Sequence, residues 1–92
     1  MRKILILNVG DNIGVCLSDL NPGDSISQDG RSIMSKSRIP RGHKIAMKKI
    51  AKNDGVIKYG ERIGHATSDI EIGEHVHTHN VLGDRLSAEQ GM

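Results

Sequence analysis

The 92 residues carry a formal net charge of +2 with histidine neutral, too near balance to call for a polyanionic partner, and Tyr59 is their one aromatic residue, which leaves nothing for nucleic-acid bases to stack on. Apolar residues make up 36% of the chain, and without Phe or Trp they are nearly all small aliphatics. That predicts one small, turn-rich β core rather than a deep aromatic-lined pocket, with so much surface left unburied that a partner subunit or a homo-oligomer is expected.

Met1-Arg2-Lys3 followed by Ile4-Leu5-Ile6-Leu7 has the start of a signal peptide, but the apolar run ends at Asn8, short of the roughly 7–15 residues such a region needs. No stretch is long and apolar enough to span a membrane, and the lone Cys16 cannot form an internal disulfide, so a soluble cytoplasmic domain is expected. Ile4 to Val9 predicts a buried first strand, closed by a turn at Gly10-Asp11-Asn12. Ile13 to Leu20 predicts a second, with Ile13, Val15 and Leu17 on one face and Cys16, a small core residue, on the other. Asn21-Pro22-Gly23-Asp24 is a turn, since Pro presets φ and Gly accepts positive φ. Ser25 to Lys36 is polar, broken at Gln28-Asp29-Gly30, and reads as a short hairpin or a mobile loop.

Beyond Ile39 the pattern is regular. Pro40-Arg41-Gly42 turns into a strand at His43–Met47; Lys48 to Lys52 has room for one helical turn; Asn53-Asp54-Gly55 is a hairpin signal. Strands follow at Val56–Tyr59 and Ile63–Ala66, separated by Gly60-Glu61-Arg62, and Asp69 to Gly73 turns again. Short strands between Gly-containing turns predict an all-β domain over 1–81, with 82–92 a polar tail or the start of a linker. No internal repeat or low-complexity segment is visible.

The chemistry concentrates in His75-Val76-His77-Thr78-His79-Asn80. As a strand this would send His75, His77 and His79 to one face. Imidazoles at i and i+2 can share a first-row divalent ion. His75 and His79 would stand about 13 Å apart on an extended chain, so at most two of the three fit one ion, His77 with His79 or with His75. The alternative is a surface strand whose histidines bond their neighbours or meet a subunit interface. A second group is basic: Arg41, His43, Lys44 and Lys58 could clamp a carboxylate, or could simply be solvated strand faces. Asp11 and Asn12 either cap their turn or offer an oxygen ligand, and His65, after Gly64, reads as structural. Phosphate-binding glycine loops, His-Glu-x-x-His, paired zinc cysteines and a nucleophile elbow are all absent.

Three strings, Ile39-Pro-Arg-Gly-His-Lys-Ile-Ala46, Val56-Ile-Lys-Tyr-Gly-Glu-Arg-Ile-Gly64 and Gly73-Glu-His-Val-His-Thr-His-Asn80, together resemble the SAF domain of the altronate dehydratase (altronate hydrolase) and D-galactarate dehydratase family. The small subunit of sulfolactate sulfo-lyase shares the pattern, and Asp11-Asn12 is similar to an early Asp-Asn-Val segment of the family. The resemblance covers roughly Val9 to Asn80 and implies a small β-clip fold, like that of type III antifreeze proteins. It implies a component of a sugar-acid hydro-lyase, a carbon-oxygen lyase of hexuronate catabolism that depends on iron, Fe2+ or another divalent metal. The dehydratases continue into a much longer catalytic region, so the chain is expected to work with a large catalytic subunit or domain and to be inactive alone. On that reading His77 and His79 are catalytic or metal-ligating, Arg41, His43, Lys44 and Lys58 receive the acid, and Asn80 closes the last string. The alternatives are a non-enzymatic SAF binding module and a small subunit of a sulfolactate sulfo-lyase-like enzyme. Neither a nucleic acid nor a membrane is an expected partner.

Overall fold

Residues 4–6, 8–28 and 30–84 are described by the computed structural model, and every regular element among them is a strand. In chain order these are β1 (Ile4–Leu5), β2 (Ile13–Cys16), β3 (Ser25–Gln28), β4 (Arg31–Met34), β5 (Lys44–Ala46), β6 (Gly55–Lys58), β7 (Glu61–Ala66), β8 (His75–Val76) and β9 (Val81–Leu82). The all-β expectation is borne out. A central antiparallel sheet runs β1-β2-β5-β8, flanked by the β3–β4 hairpin and by a sheet ordered β6-β7-β9.

The central sheet separates two small cores. Alternation sends Ile4, Cys16 and Ile45 to one face, where they join Leu20, Ile26, Ile33, Ile39 and Met47. It sends Ile13, Ala46 and Val76 to the other, where they join Ile50, Val56, Ala66 and Ile70. The first core comes almost wholly from the N-terminal half of the chain and the second from the C-terminal half. Each fully buried Ile or Leu contributes about 1.5–3 kcal/mol, which is how a chain without Phe or Trp reaches stability.

An internal repeat, not visible in the bare sequence, emerges from the backbone. A nine-residue unit recurs four times: Cys16–Asp24, Ser35–His43, Ala46–Asp54 and Ala66–Glu74. Each opens on a buried small residue (Cys16, Ser35, Ala46, Ala66) and centres on a buried Leu20, Ile39, Ile50 or Ile70. Each then makes a β-turn, with positive φ at Gly23 (91°), Gly42 (87°), Asn53 (75°) or Gly73 (90°), the position where a type II turn asks for Gly or Asn. The units pair. Leu20 bridges Ile39 and Ile50 bridges Ile70. Gly23 N–H donates to Ser35 O and Gly42 N–H to Cys16 O in one pair; Asn53 N–H donates to Ala66 O and Gly73 N–H to Ala46 O in the other. One aspartate locks each pair: Asp19 Oδ1 accepts Arg41 N–H (2.7 Å) and Asp69 Oδ1 accepts Lys52 N–H (2.8 Å). Only three positions in nine are constrained, and each merely to a class of residue, so the repeat carries almost no sequence identity.

Several expected elements change. The first strand ends at Leu5, and Val9 is 87% exposed, because Asn8 starts a turn by accepting Gly10 N–H on its side chain. The second strand ends at Cys16, whose N–H and C=O are taken by His43 and Gly42, and Leu17 is exposed. Ser25 to Lys36 resolves as a hairpin, with Ile26 opposite Ile33 in the core. Lys48 to Lys52 forms no helical turn, because Ile50 is bridged to Ile70. Asn53-Asp54 does turn the chain, yet it joins no hairpin: β5 pairs with β2 and β8, never with β6. The tail was expected from Leu82, but Leu82 lies opposite His65 within β9; residues 85–92 lie outside the described residues.

Candidate functional site

The histidine row is not a strand. β8 ends at Val76, and the chain then bends, with both Asn80 N–H and Val81 N–H donating to His77 O at 3.1 Å. The agent is Asn80, only 4% exposed, whose Oδ1 accepts His77 N–H and whose Nδ2 donates to His75 O, each at 2.9 Å. Backbone groups that a continuing strand would pair are satisfied by one side chain instead.

The bend gathers rings that an extended chain would spread. His75 and His79 ring centroids lie 5.4 Å apart and His75 and His77 also 5.4 Å. A further imidazole arrives from β5's turn. His43 follows the positive-φ Gly42, with its N–H donated to Pro40 O (3.0 Å) and its C=O accepting Cys16 N–H (2.8 Å). The β5–β8 register pairs Lys44 with Val76 and Ile45 with His75; one step further places His43 opposite His77. Their rings stack at 4.7 Å. His43 Nδ1 and His75 Nε2 face each other at 2.9 Å, so at most one of the two nitrogens carries a proton. His75 is held below its ordinary pKa, chiefly by burial and then by the like charge of His43, His79 and His77.

Ligand atoms of His43, His75 and His77 all lie within 4.8 Å of one another. Of the three histidines in the row, His75 and His77 enter this group and His79 does not; the third member is His43 from the other strand. Nitrogens bound at about 2.0–2.1 Å to one ion stand about 3.0 Å apart at a right angle and about 3.4 Å apart at the tetrahedral angle. The 2.9 Å between His43 Nδ1 and His75 Nε2 is a hydrogen-bond contact close to this range of spacing, and sharing an ion would replace that bond by turning both nitrogens toward the metal. Three imidazoles on a partly exposed surface, with no carboxylate among them, suit a first-row divalent ion with positions left over for other ligands.

The other candidate residues disperse. Alternation turns Lys44, with Val76, to the sheet face opposite His43 and His75. There Lys44, Ile63, Val76, His77, Thr78 and Val81 line a cleft of about 230 Å³, so His77 alone belongs to both cleft and cluster. Burial, and then the charge of Lys58, push the Lys44 ammonium below its ordinary pKa. Lys58 ends β6 and lies over the Tyr59 ring, 4.8 Å from its centroid. Arg41 is exposed in its turn, held through its backbone by Asp19, and no hydrogen bond or ion pair joins its side chain to the cluster. Asp11 and Asn12 are latches. Buried Asp11 accepts Gly60 N–H on Oδ1 (2.8 Å), while Asn12 donates to Gly55 O (2.9 Å) and accepts Ile57 N–H (2.7 Å), which ties β2 to β6. His65 Nδ1 meets Asp84 Oδ1 at 2.8 Å, and Arg62 binds the same carboxylate, fixing the chain just after β9. Cys16 is buried, with its thiol pushed up to about 11 by desolvation, and is inert.

Two roles escaped the sequence. His43 belongs with the histidine row, a fact carried by the strand register, which no local string encodes. Asn80 organises the row; its Asn identity just after three histidines is the one local signal that a side chain replaces the strand ladder.

The family described as the altronate/galactarate dehydratase SAF domain matches residues 2–84. The chain belongs to that family. The SAF resemblance read from the three strings is thus borne out. An altronate dehydratase of Bacillus subtilis is 45% identical over 80 residues, 87% of this chain and 16% of that protein. An altronate dehydratase of Escherichia coli is 47% identical over the same shares. The (2R)-sulfolactate sulfo-lyase subunit alpha of Paracoccus pantotrophus is 52% identical over 48 residues, 52% of this chain and 72% of that subunit. The chain therefore spans about a sixth of the length of the altronate dehydratases it matches. Among the described residues of this SAF domain, no helix is long and apolar enough to cross a membrane.

Proposed function

We propose that this SAF domain is the small component of an altronate-dehydratase-type lyase, supplying a three-histidine site for a divalent metal to an active site that a larger catalytic region completes. The observation that carries it is the convergence of His43, His75 and His77 ligand atoms within 4.8 Å, from two different strands and a bend. Fe2+ is the first candidate, since three neutral imidazoles and open positions suit an ion of its class. When bound, such an ion supplies Lewis-acid stabilisation of the charge that develops beside a carboxylate as its α-proton leaves. On this reading His79, exposed and next to His75 but outside the three, is the candidate for proton transfer. Altronate and sulfolactate are both 2-hydroxycarboxylates with a leaving group on the next carbon, hydroxyl in one and sulfonate in the other. A module shared by enzymes named for the two therefore serves what they have in common, the 2-hydroxycarboxylate head. Membership of a sugar-acid pathway and a cytoplasmic location follow from the same reading, and the free, buried Cys16 agrees with a reducing compartment.

A separate-subunit arrangement is favoured by the match to the sulfo-lyase, where a comparable module makes up most of a chain named subunit alpha. A purely non-enzymatic binding module remains the competing reading. Metal analysis separates the two. The purified chain should take up close to one equivalent of Fe2+ or Co2+, and His43→Ala, His75→Ala and His77→Ala should each weaken binding by at least 10–100-fold, with His79→Ala much milder. Uptake that survives all three substitutions would remove the metal role. Adding a large dehydratase region should then be required for turnover, and conversion of altronate by this chain alone would overturn the division of labour.

A further inference from the structure

Side chains close the strand edges of this fold at several points. On β1, Ile4 N–H donates to Gln28 Oε1 (3.0 Å) and Ile4 O accepts from Gln28 Nε2 (2.6 Å). On β6, Asn12 takes Ile57 N–H and Gly55 O; after β8, Asn80 takes His75 O and His77 N–H. The outer side of β4 lies against Gly73, whose C=O accepts Lys36 N–H at 2.9 Å. β3 is different. Ser35 N–H donates to Asp24 O (2.8 Å), one step before the Ser25–Met34 pair, which fixes the alternation along the hairpin. Ile26 and Gln28 exchange bonds with β4, whereas the N–H and C=O of Ser25 and Ser27 point away from it. Among the described residues no hydrogen bond reaches those outward groups, and both serines are exposed. Nor does β3, Ser-Ile-Ser-Gln, carry the lysine, proline or bulge with which proteins guard an open edge.

We propose that β3 joins two copies of this domain, antiparallel about a two-fold axis at Ile26, so that both hairpins merge into one sheet ordered β4-β3-β3-β4. The register follows from which groups point outward. With the axis at Ile26, Ser25 of each copy stands opposite Ser27 of the other, and each such pair exchanges both of its main-chain bonds. An axis at Ser25 or at Ser27 leaves some of these groups without partners. The pairing is compatible in charge as well: β3 carries none, and Asp24, which precedes it, falls opposite Gln28 of the other copy rather than opposite its own equivalent. A strand of another protein would need the same uncharged, extended form to bond this edge; a second copy supplies it by construction. The pairing uses up both β3 edges, and β4 is abutted by Gly73, so assembly closes at a dimer. A contact centred on Ser25 to Ser27 falls well short of the roughly 1,200 Å² of a stable dimer, so association is weak and reversible. No histidine lies on β3; each copy keeps a cluster of its own, and the inference stands apart from the metal reading.

The test is self-association of the full chain in the presence of a chelator, so that no shared ion can bridge two histidine clusters. Sedimentation and amide NMR across a dilution series up to about 1 mM should show a monomer–dimer equilibrium, with a dissociation constant on the order of 1 mM or tighter. The amide resonances of Ser25 and Ser27 should shift with concentration and exchange more slowly with solvent, and no species larger than a dimer should form. Ser27→Pro deletes an outward N–H that makes no bond within the hairpin, at a place where an edge strand tolerates proline, and should weaken association at least tenfold. Ser27→Lys leaves the backbone intact and sets like charges near the axis; it should weaken association severalfold, and it carries the test alone if proline disturbs the hairpin. A chain that stays monomeric at about 1 mM, undiminished association in the variants, assembly beyond a dimer, or concentration-dependent shifts confined to another face would each overturn the pairing.

Discussion

Asn80 makes the sharpest prediction, because two hydrogen bonds from one buried side chain turn the chain out of β8 and into the bend that gathers the histidines. Replacing it by Ala removes the bond from His77 N–H to Oδ1 and the bond from Nδ2 to His75 O, both 2.9 Å. Each contributes about 0.5–1.5 kcal/mol net. His77 is exposed and its freed N–H can turn to water, whereas His75 O sits in a half-buried strand, so the loss falls mainly on the second bond. The total is about 1–3 kcal/mol, a fall of about 1–3 M in the urea midpoint at a slope near 1 kcal/mol/M. Backbone bonds from Asn80 N–H to His77 O and from Thr67 N–H to Asn80 O survive, so the fold is retained. Metal affinity, measured by competition with a chromophoric chelator, should drop about 10–100-fold, the usual effect of losing a group that orients ligands. Asn80→Asp keeps the acceptor but sets a carboxylate against His75 O, and should be no better. If the midpoint falls as expected while metal affinity stays at the wild-type value, the idea that this bend assembles the site is refuted.

Two further outcomes follow from geometry and charge. Gly23 and Gly73 have nearly equal φ (91° and 90°), but a Cβ at Gly73 would lie 2.1 Å from Met34 O while one at Gly23 would meet nothing within 4 Å. Gly23→Ala should therefore cost only the strain of positive φ, about 1–2 kcal/mol, and Gly73→Ala about 1–3 kcal/mol more; equal urea midpoints would contradict the close approach. In the metal-free domain, His75 is depressed below its ordinary value of 6.5. Below that value the unfolded chain takes up a proton that folded His75 resists, so stability is full above about pH 6.5 and is lost as pH falls toward the depressed folded value. Melting temperatures between pH 7.5 and 5.5 should show this decline, and His75→Gln should flatten it; the depressed Asp84 acts in a separate window, below its ordinary 3.8.

Much of the architecture was legible because its signals are local. Asn21-Pro22-Gly23-Asp24 and Pro40-Arg41-Gly42 specify turns by their own φ requirements, and both turn as expected. Gly-bounded aliphatic runs likewise gave strands near β5, β6 and β7. Strand lengths were less legible: Cys16 ends its strand through His43 and Gly42, far along the chain, and Leu5 ends its own ahead of a turn set by the Asn8 side chain. The site was read in part. His75, His77 and His79 were visible as candidates, but an alternating pattern looks the same whether it continues as a strand or bends around Asn80. His43 could join them only through the β5–β8 register, a contact spanning 32 residues. For the same reason Lys44 was grouped with His43, although successive residues of a strand face opposite ways.

The paired units give the histidine cluster a mechanical meaning. His43 closes the second unit, in the N-terminal pair, and His75 follows the fourth, in the C-terminal pair. Each pair is locked by its own bridge and its own aspartate, and each has its own small core. An ion gripped by His43 and His75 would thus act as a rivet between two self-locked halves, restraining their relative motion much as a crosslink would. Loading and unloading of the metal would then register as stiffening and loosening along the β5–β8 junction, far beyond the imidazoles themselves.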